Sequence, residues 1–281
     1  IKDRLIQTLT RTVRRLSAFS AVSDFHMEGL EKSFGRPGSP WEALRFTLKN
    51  GLQVVVTGQI DRIDTLRQGD HKYVVIIDYK SGRKQLDISQ IFTGLELQLL
   101  TYMFVALLNI GGDAIPAAAL YCYVRNDKVS LEYRVSEEDK KKLYDAKGKL
   151  TGFYLDDGQV MQQLDTSMQG FSDFLNLRLK KDGTLSDSSH TLYNEAGWSH
   201  LLDWAARQIR DIAGHIGDGD ISIHPILMGQ QAPCSYCPYR PVCRFDVAVA
   251  GNTYDAAGRE DTDEMIQKMF DEGDDEHGLD E

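Results

Sequence analysis

Hydrophobic and polar positions change rhythm along this chain, and each change predicts an element. Residues 1–20 read as a helix, and strands are expected at 43–49, 52–66, 72–79, 116–125 and 129–134. Asn50-Gly51 between the first two is a strong hairpin signal. Tyr73 to Ile77 is a nearly unbroken apolar run, which implies a strand buried on both faces. A helix is expected over 90–108; from Leu95 to Leu108 it is apolar on almost every side and therefore buried. Ser136 is a plausible cap for a charged helix or turn near 136–147, followed by a loop-rich stretch near 155–190. A last helix, 195–216, carries Trp198, Leu201, Leu202, Trp204, Ala205 and Ile209 at helical spacing, which reads as core rather than as a base-stacking platform. This pattern divides the chain into an N-terminal helix and lead-in (1–40), an α/β core (41–150), a helical C-terminal extension (151–250) and an acidic tail (251–281).

At 281 residues the chain is long enough for one or two domains with a sizeable core. Its net charge of −10 is concentrated at one end, because residues 260–281 hold 11 acidic side chains against one lysine. That tail is expected to be disordered and solvated. The other 259 residues balance 31 basic against 31 acidic side chains, so nucleic-acid contact would rest on local positive patches. Arg11, Arg14 and Arg15 on the first helix are candidates, with an ordinary solvated face as the alternative. There is no transmembrane run, internal repeat or Gly-x-x-x-x-Gly-Lys loop, so no membrane partner or nucleotide site is expected. No apolar targeting segment suggests export, and a cytoplasmic location is expected.

Candidate chemistry lies between Gly58 and Tyr102. Gly58-Gln59-Ile60-Asp61 and Asp78-Tyr79-Lys80 place two carboxylates at the ends of adjacent strands, where they can share a divalent cation. Lys80 lies two residues past Asp78 and so points to the same side of its strand. It supplies a fixed positive charge beside an attacking water and an anionic transition state. Gln98, Thr101 and Tyr102 fall on one face of the apolar helix. Taken singly, each piece also fits a strand exit, a turn or a buried polar stripe. Asp64 lies three residues past Asp61 and reads better as an ion-pair partner of Arg62.

A second constellation is Cys234-Ser-Tyr-Cys237-Pro-Tyr-Arg-Pro-Val-Cys243, which gathers three of the four cysteines. Thiolates spaced C-x₂-C between prolines suit zinc or an iron–sulfur cluster, with a disulfide and one odd thiol as the alternative. Cys122 lies in an apolar strand pattern, where a buried, inert thiol is the usual case.

Gly-x-Ile-Asp, Asp-Tyr-Lys and Gln-x-x-x-Tyr, in this order and spacing, resemble the PD-(D/E)XK nucleases of the RecB type. The resemblance implies a restriction-endonuclease-like core, a mixed central sheet flanked by helices. It implies Asp61, Asp78 and the Tyr79 carbonyl as ligands of Mg²⁺ or Mn²⁺, Lys80 as the catalytic lysine, and Gln98 and Tyr102 as a supporting motif. The cysteine loop, Gly152-Phe-Tyr-Leu-Asp-Asp157 and Gly219-Asp-Ile-Ser-Ile-His-Pro225 resemble, more narrowly, the AddB (RexB) family of bacterial helicase–nuclease subunits. That likeness implies a 4Fe-4S cluster on Cys234, Cys237 and Cys243. Its fourth cysteine would lie outside this chain, itself a C-terminal part of a larger subunit. It further implies an AddA/RexA-like partner, DNA ends and single strands as substrate, exonuclease cutting of the 5′-ended strand, and recombinational repair. No residue matches the family's metal-binding histidine, His26 included. Two other readings are a non-catalytic DNA-end-binding scaffold and a relative of the CRISPR-associated exonucleases.

Overall fold

The structure is a computed structural model describing residues 2–82, 87–112, 114–124, 136, 147–186, 190–229, 232–257 and 261–271. The chain forms two compact units that do not follow consecutive sequence. One comprises residues 1–45, 55–86 and 98–202, the other 46–54, 87–97 and 203–281.

The first unit is built on a six-stranded mixed sheet. In chain order its strands are β1 (His26–Phe34), β4 (Gly58–Gln68), β5 (His71–Lys80), β6 (Ala114–Tyr123), β7 (Thr151–Leu155) and β10 (Leu192–Tyr193), which is also their order across the sheet. Strand β5 is central, antiparallel to β4 and parallel to β6. Val74, Val75, Ile76 and Ile77 have no exposed surface, so β5 is buried on both faces, as the apolar run predicts. The helices α1 (Lys2–Ala21) and α3 (Gln98–Ile110) cover opposite faces. Ser20 of α1 reaches Arg62 on one side of β4, and Gln98 of α3 reaches Asp78 on the other side of β5. A short helix α4 (Gly158–Leu164), capped by Asp157, and the two-residue ladder β8–β9 (Arg178–Leu179, Leu185–Ser186) complete this unit. Both lie within the stretch expected to be loop-rich.

The second unit holds the Asn50-Gly51 turn of the expected hairpin, where Gly51 adopts a φ of 81° and Leu48 N donates to Leu52 O. This turn joins β2 (Leu44–Thr47) to β3 (Gln53–Val56). The expected strand over 52–66 is therefore two, interrupted at Thr57. The expected helix over 90–108 is also two, α2 (Ile88–Phe92) and α3, because Gly94 at a φ of 74° ends the first. In this unit Trp204 stacks on Phe92 at 5.2 Å and its indole donates to Ile91 O at 3.2 Å. Trp204 lies on α5 (Glu195–Gly217), as does Trp198, which is packed edge-on against Phe153 in the first unit; both tryptophans are core, as expected.

A parallel pair, β11 (Ile226–Met228) and β12 (Asp255–Ala257), closes the segment that carries the cysteines. Within it lie a 3₁₀ turn at Pro233–Ser235 and a single helical turn, α6 (Arg240–Cys243). The expected disorder of 251–281 is corrected at two places. Besides β12, residues Thr262–Asp271 form a helix, α7, that buries Met265 and Met269. Two methionines at i and i+4 supply an apolar seam that the local acidic composition hides. The expected strand at 129–134, nearly all of 136–147, and residues 272–281 lie outside the described residues.

Candidate active site

The site follows from strand register. Arg62 of β4 pairs with Ile77 of β5, so Asp61 and Asp78, one step further on, lie across from each other and project to the same face. Lys80 shares that face by alternation. The Asp61 carboxylate accepts a hydrogen bond from the Tyr79 backbone N–H at 2.9 Å, which ties the end of β4 to the end of β5. Asp78 is 2% exposed. Its Oδ2 lies 2.6 Å from Lys80 Nζ, and its Oδ1 accepts from Gln98 Nε2 at 3.1 Å.

Gln98 is the hub of this network. Its Oε1 accepts from Lys80 Nζ at 2.5 Å, while its Nε2 also donates to the Tyr102 hydroxyl at 2.9 Å. One amide thus reads both a cation and a carboxylate, a task that needs a donor and an acceptor on one planar group. It stands at the first residue of α3, and Tyr102 follows one turn later. Tyr102 packs edge-on against Phe34 of β1 at 6.0 Å. Lys80 also lies 5.4 Å from the ring of Tyr121, which pairs with Asp78 across β5 and β6. Burial pushes the Tyr121 hydroxyl well above the usual phenol range, and the negative charge of Asp78 adds to the effect. Tyr121 therefore stays neutral beside the lysine.

The opposite face of the same strands is structural. Arg62 and Asp64 form a bidentate ion pair at 2.7–3.1 Å, as expected from their spacing. Burial works against the Arg62 charge, but Asp64 more than offsets it and the guanidinium is held more firmly charged than usual. Cys122 lies on this side, paired with Tyr79 across β5 and β6, and burial raises its thiol to about 11. Arg15, offered by sequence as a nucleic-acid contact, donates to the main-chain carbonyls of Gly148 and Asp173 and lies 5.4 Å from the Phe174 ring. It is a packing residue.

Sequence reasoning missed Glu31. Leu30 pairs with Arg62 and Lys32 with Ile60, so Glu31 lies across from Asp61. Its backbone adopts a left-handed φ of 47°, and its carboxylate accepts from Gln59 at 3.3 Å. No local pattern signals this, because β1 is an edge strand with a bulge between Met27 and Gly29 and a mostly exposed face.

Asp61, Asp78 and the Tyr79 carbonyl make an oxygen-only donor set, which fits a hard divalent cation that keeps part of its water. Among the described residues, no three or more His, Cys, Asp or Glu side chains meet in metal-binding geometry. A cation here would therefore rest on two carboxylates, one carbonyl and solvent. The cysteine loop differs. Cys234 and Cys237 are half-buried, Cys243 is exposed, and all are free thiols that do not converge into a ligand set. As it stands, the loop does not fit a closed cluster.

Sheet order, opposed carboxylates, lysine and supporting helix together define a nuclease-type core. The chain belongs to the PD-(D/E)XK nuclease superfamily, whose profile matches residues 1–244. Proteins of this superfamily generally depend on divalent metal ions. The chain is 33% identical over 259 residues to an ATP-dependent helicase/deoxyribonuclease subunit of Bacillus subtilis, covering 90% of this chain and 22% of that protein. It is 35% identical over 262 residues to the protein of the same name from Moorella thermoacetica, covering 92% of this chain and 23% of the relative. The Bacillus pumilus protein of that name is 31% identical over 280 residues, 98% of this chain and 24% of its own length. The chain thus spans about a quarter or less of the relatives it matches.

Proposed function

We propose that this chain is the nuclease domain of a helicase–nuclease, a DNA exonuclease that hydrolyses one strand during processing of double-strand ends and recombinational repair. The observation that carries this reading is the network on one face of β5, in which Gln98 holds Lys80 against Asp78 while Tyr79 N–H holds Asp61 beside them. Asp61, Asp78 and the Tyr79 carbonyl would hold a Mg²⁺ or Mn²⁺ ion. When bound, the ion supplies an activated water and neutralises charge on the scissile phosphate.

The chain's own residues do the rest. Lys80 donates to the phosphate oxygen on which negative charge develops, and its partners keep the ammonium from swinging away. Gln98 fixes that donor, and Tyr102 fixes Gln98. The neutral ring of Tyr121, buried and 5.4 Å from the Lys80 ammonium, forms a floor beneath it. The attacking water bonds to phosphorus as the bond to the leaving sugar oxygen breaks.

The relatives' name, a helicase/deoxyribonuclease subunit, supports DNA as substrate and a partner subunit. The likeness to the AddB family implies a cytoplasmic setting and action on the 5′-ended strand. The C-x₂-C-x₅-C spacing suits an iron–sulfur cluster, for which Cys234, Cys237 and Cys243 would be the ligands this chain offers. Single-turnover cleavage of an end-labelled duplex by the full complex with Mg²⁺ tests the reading. Asp78→Ala is expected to lower cutting of one strand by about 10³-fold or more, with unwinding intact. Unchanged cutting of both strands would make the domain a scaffold.

A further inference from the structure

The loop between β1 and β2 lines an open pocket of about 530 Å³, formed by Arg36, Ser39, Trp41, Glu42 and Arg45 among others. This loop is fixed. Gly35 adopts a φ of 71°, and a Cβ there would meet Ala43 Cβ at 2.7 Å and Val56 O at 2.9 Å. Gly35 N donates to Trp41 O at 3.1 Å, and Ser39 N donates to Arg36 O at 2.9 Å. Arg36 N donates to Ser39 Oγ at 3.1 Å. From α3, Asn109 accepts from Glu42 N at 2.7 Å and donates to Glu42 O at 3.2 Å. Prolines 37 and 40 stiffen what remains.

This rigid frame presents an indole to solvent. Trp41 is half-exposed, whereas Trp198 and Trp204, the other two tryptophans, are buried. Around it stand three cations, with Arg36 and Arg45 exposed in the lining and Lys32 6.0 Å from the ring, against the single carboxylate of Glu42. An exposed aromatic ring among guanidinium groups matches a base on a phosphodiester chain, which offers a π-face and anions together. The location fits as well. Phe34, the last residue of β1, touches Tyr102 and pairs with Gly58, three residues and thus about 10 Å of strand before Asp61. A few nucleotides bridge that distance.

We propose that this pocket is a nucleotide subsite for single-stranded DNA, in which Trp41 stacks on an unpaired base while Arg36 and Arg45 pair with the flanking phosphates. The subsite rests on the nuclease reading, since it holds the strand whose phosphate reaches Asp61, Asp78 and Lys80. A duplex keeps its base faces covered, so the pocket selects strands already separated.

The test is titration of the protein with a short oligo-dT strand in EDTA, where no cutting occurs, following tryptophan emission. Because the other two indoles are buried, quenching reports Trp41. Wild type is expected to be quenched on binding. Trp41→Leu is expected to lose the signal and bind roughly tenfold or more weakly, and Trp41→Phe to restore most of the affinity. Arg36→Ala with Arg45→Ala, both exposed positions that leave the fold alone, is expected to weaken binding and flatten the salt dependence by about 1.4 log units per log unit of salt, two contacts' worth. Unchanged affinity and salt slope in the arginine pair, or equal quenching by a closed hairpin duplex, would overturn the subsite. Asp78→Ala separates the two ideas. If it stops cutting while the pocket variants bind normally, only the subsite fails. If it cuts like wild type, only the nuclease reading fails, and oligo-dT binding still decides the pocket.

Discussion

The end of β5 and the cysteine loop carry the two candidate chemistries of this chain, and they are organised in opposite ways. On β5 the functional groups sit on strands and a helix that the core already fixes, and they bond to one another. Tyr79 N–H holds Asp61, and Gln98 bridges Lys80 and Asp78. In the loop, Cys234, Cys237 and Cys243 sit on a 3₁₀ turn, a connecting turn and the end of one helical turn, with no thiol bonded to another. The lesson is about where the energy of assembly comes from. A site made of strand ends inherits its geometry from buried side chains. A loop of thiolates acquires its geometry from what binds it, because binding energy there doubles as folding energy.

Experiments can break that contrast. After Asp78→Ala, the largest effect is expected at the hub. Gln98→Leu removes the acceptor for Lys80 and a donor to Asp78 while keeping the helix, and single-turnover cutting should fall by about 10- to 100-fold. A fall confined to KM would mean that Gln98 binds the strand rather than orienting the lysine. Next comes Cys237→Ser in the full-length subunit, with its iron verified in the parent. Iron should be lost and the segment from 219 to 257 should become protease-sensitive while the β5 region stays protected. Equal resistance in both proteins would show that the loop folds without a ligand.

The smallest effect concerns Cys122. With its thiol raised to about 11, it should remain unmodified by a disulfide reagent near neutral pH while the loop cysteines of the metal-free protein react. The sign for stability follows. An unfolded cysteine titrates near about 8.5, so the contribution is complete below that pH and is lost as pH rises through about 11. Denaturant midpoints across that range would check it, and a flat profile would mean that the thiol is solvated.

Much of this was legible in sequence, for identifiable reasons. Strand β5 announced itself because burial on both faces leaves no polar residue between Tyr73 and Asp78. Its charged end could be placed because alternation puts Asp78 and Lys80 on one side. Asp64, three residues past Asp61, reads as an ion-pair partner of Arg62 or a neighbour, and it pairs with Arg62. What failed was long-range or hidden by composition. Strand β1 lies at the sheet edge, and its bulge and left-handed Glu31 erase any alternation. The break between α2 and α3 hinges on one glycine inside an apolar run that otherwise reads as continuous. Arg15 looked like surface charge because its acceptors, the carbonyls of Gly148 and Asp173, lie more than a hundred residues away.

The two-residue turn at Gly69-Asp70 sets a reading frame for the face that carries Asp61 and Asp78. Every residue of β4 is counted from that turn, where Gln68 meets His71. One residue inserted in the strand between Arg62 and the turn would advance the count by one. Arg62 would then stand opposite Asp78, and Asp61 would face α1. The chain would carry its own cation where the proposed metal ion would sit, and a well-folded protein would be silenced by arithmetic alone.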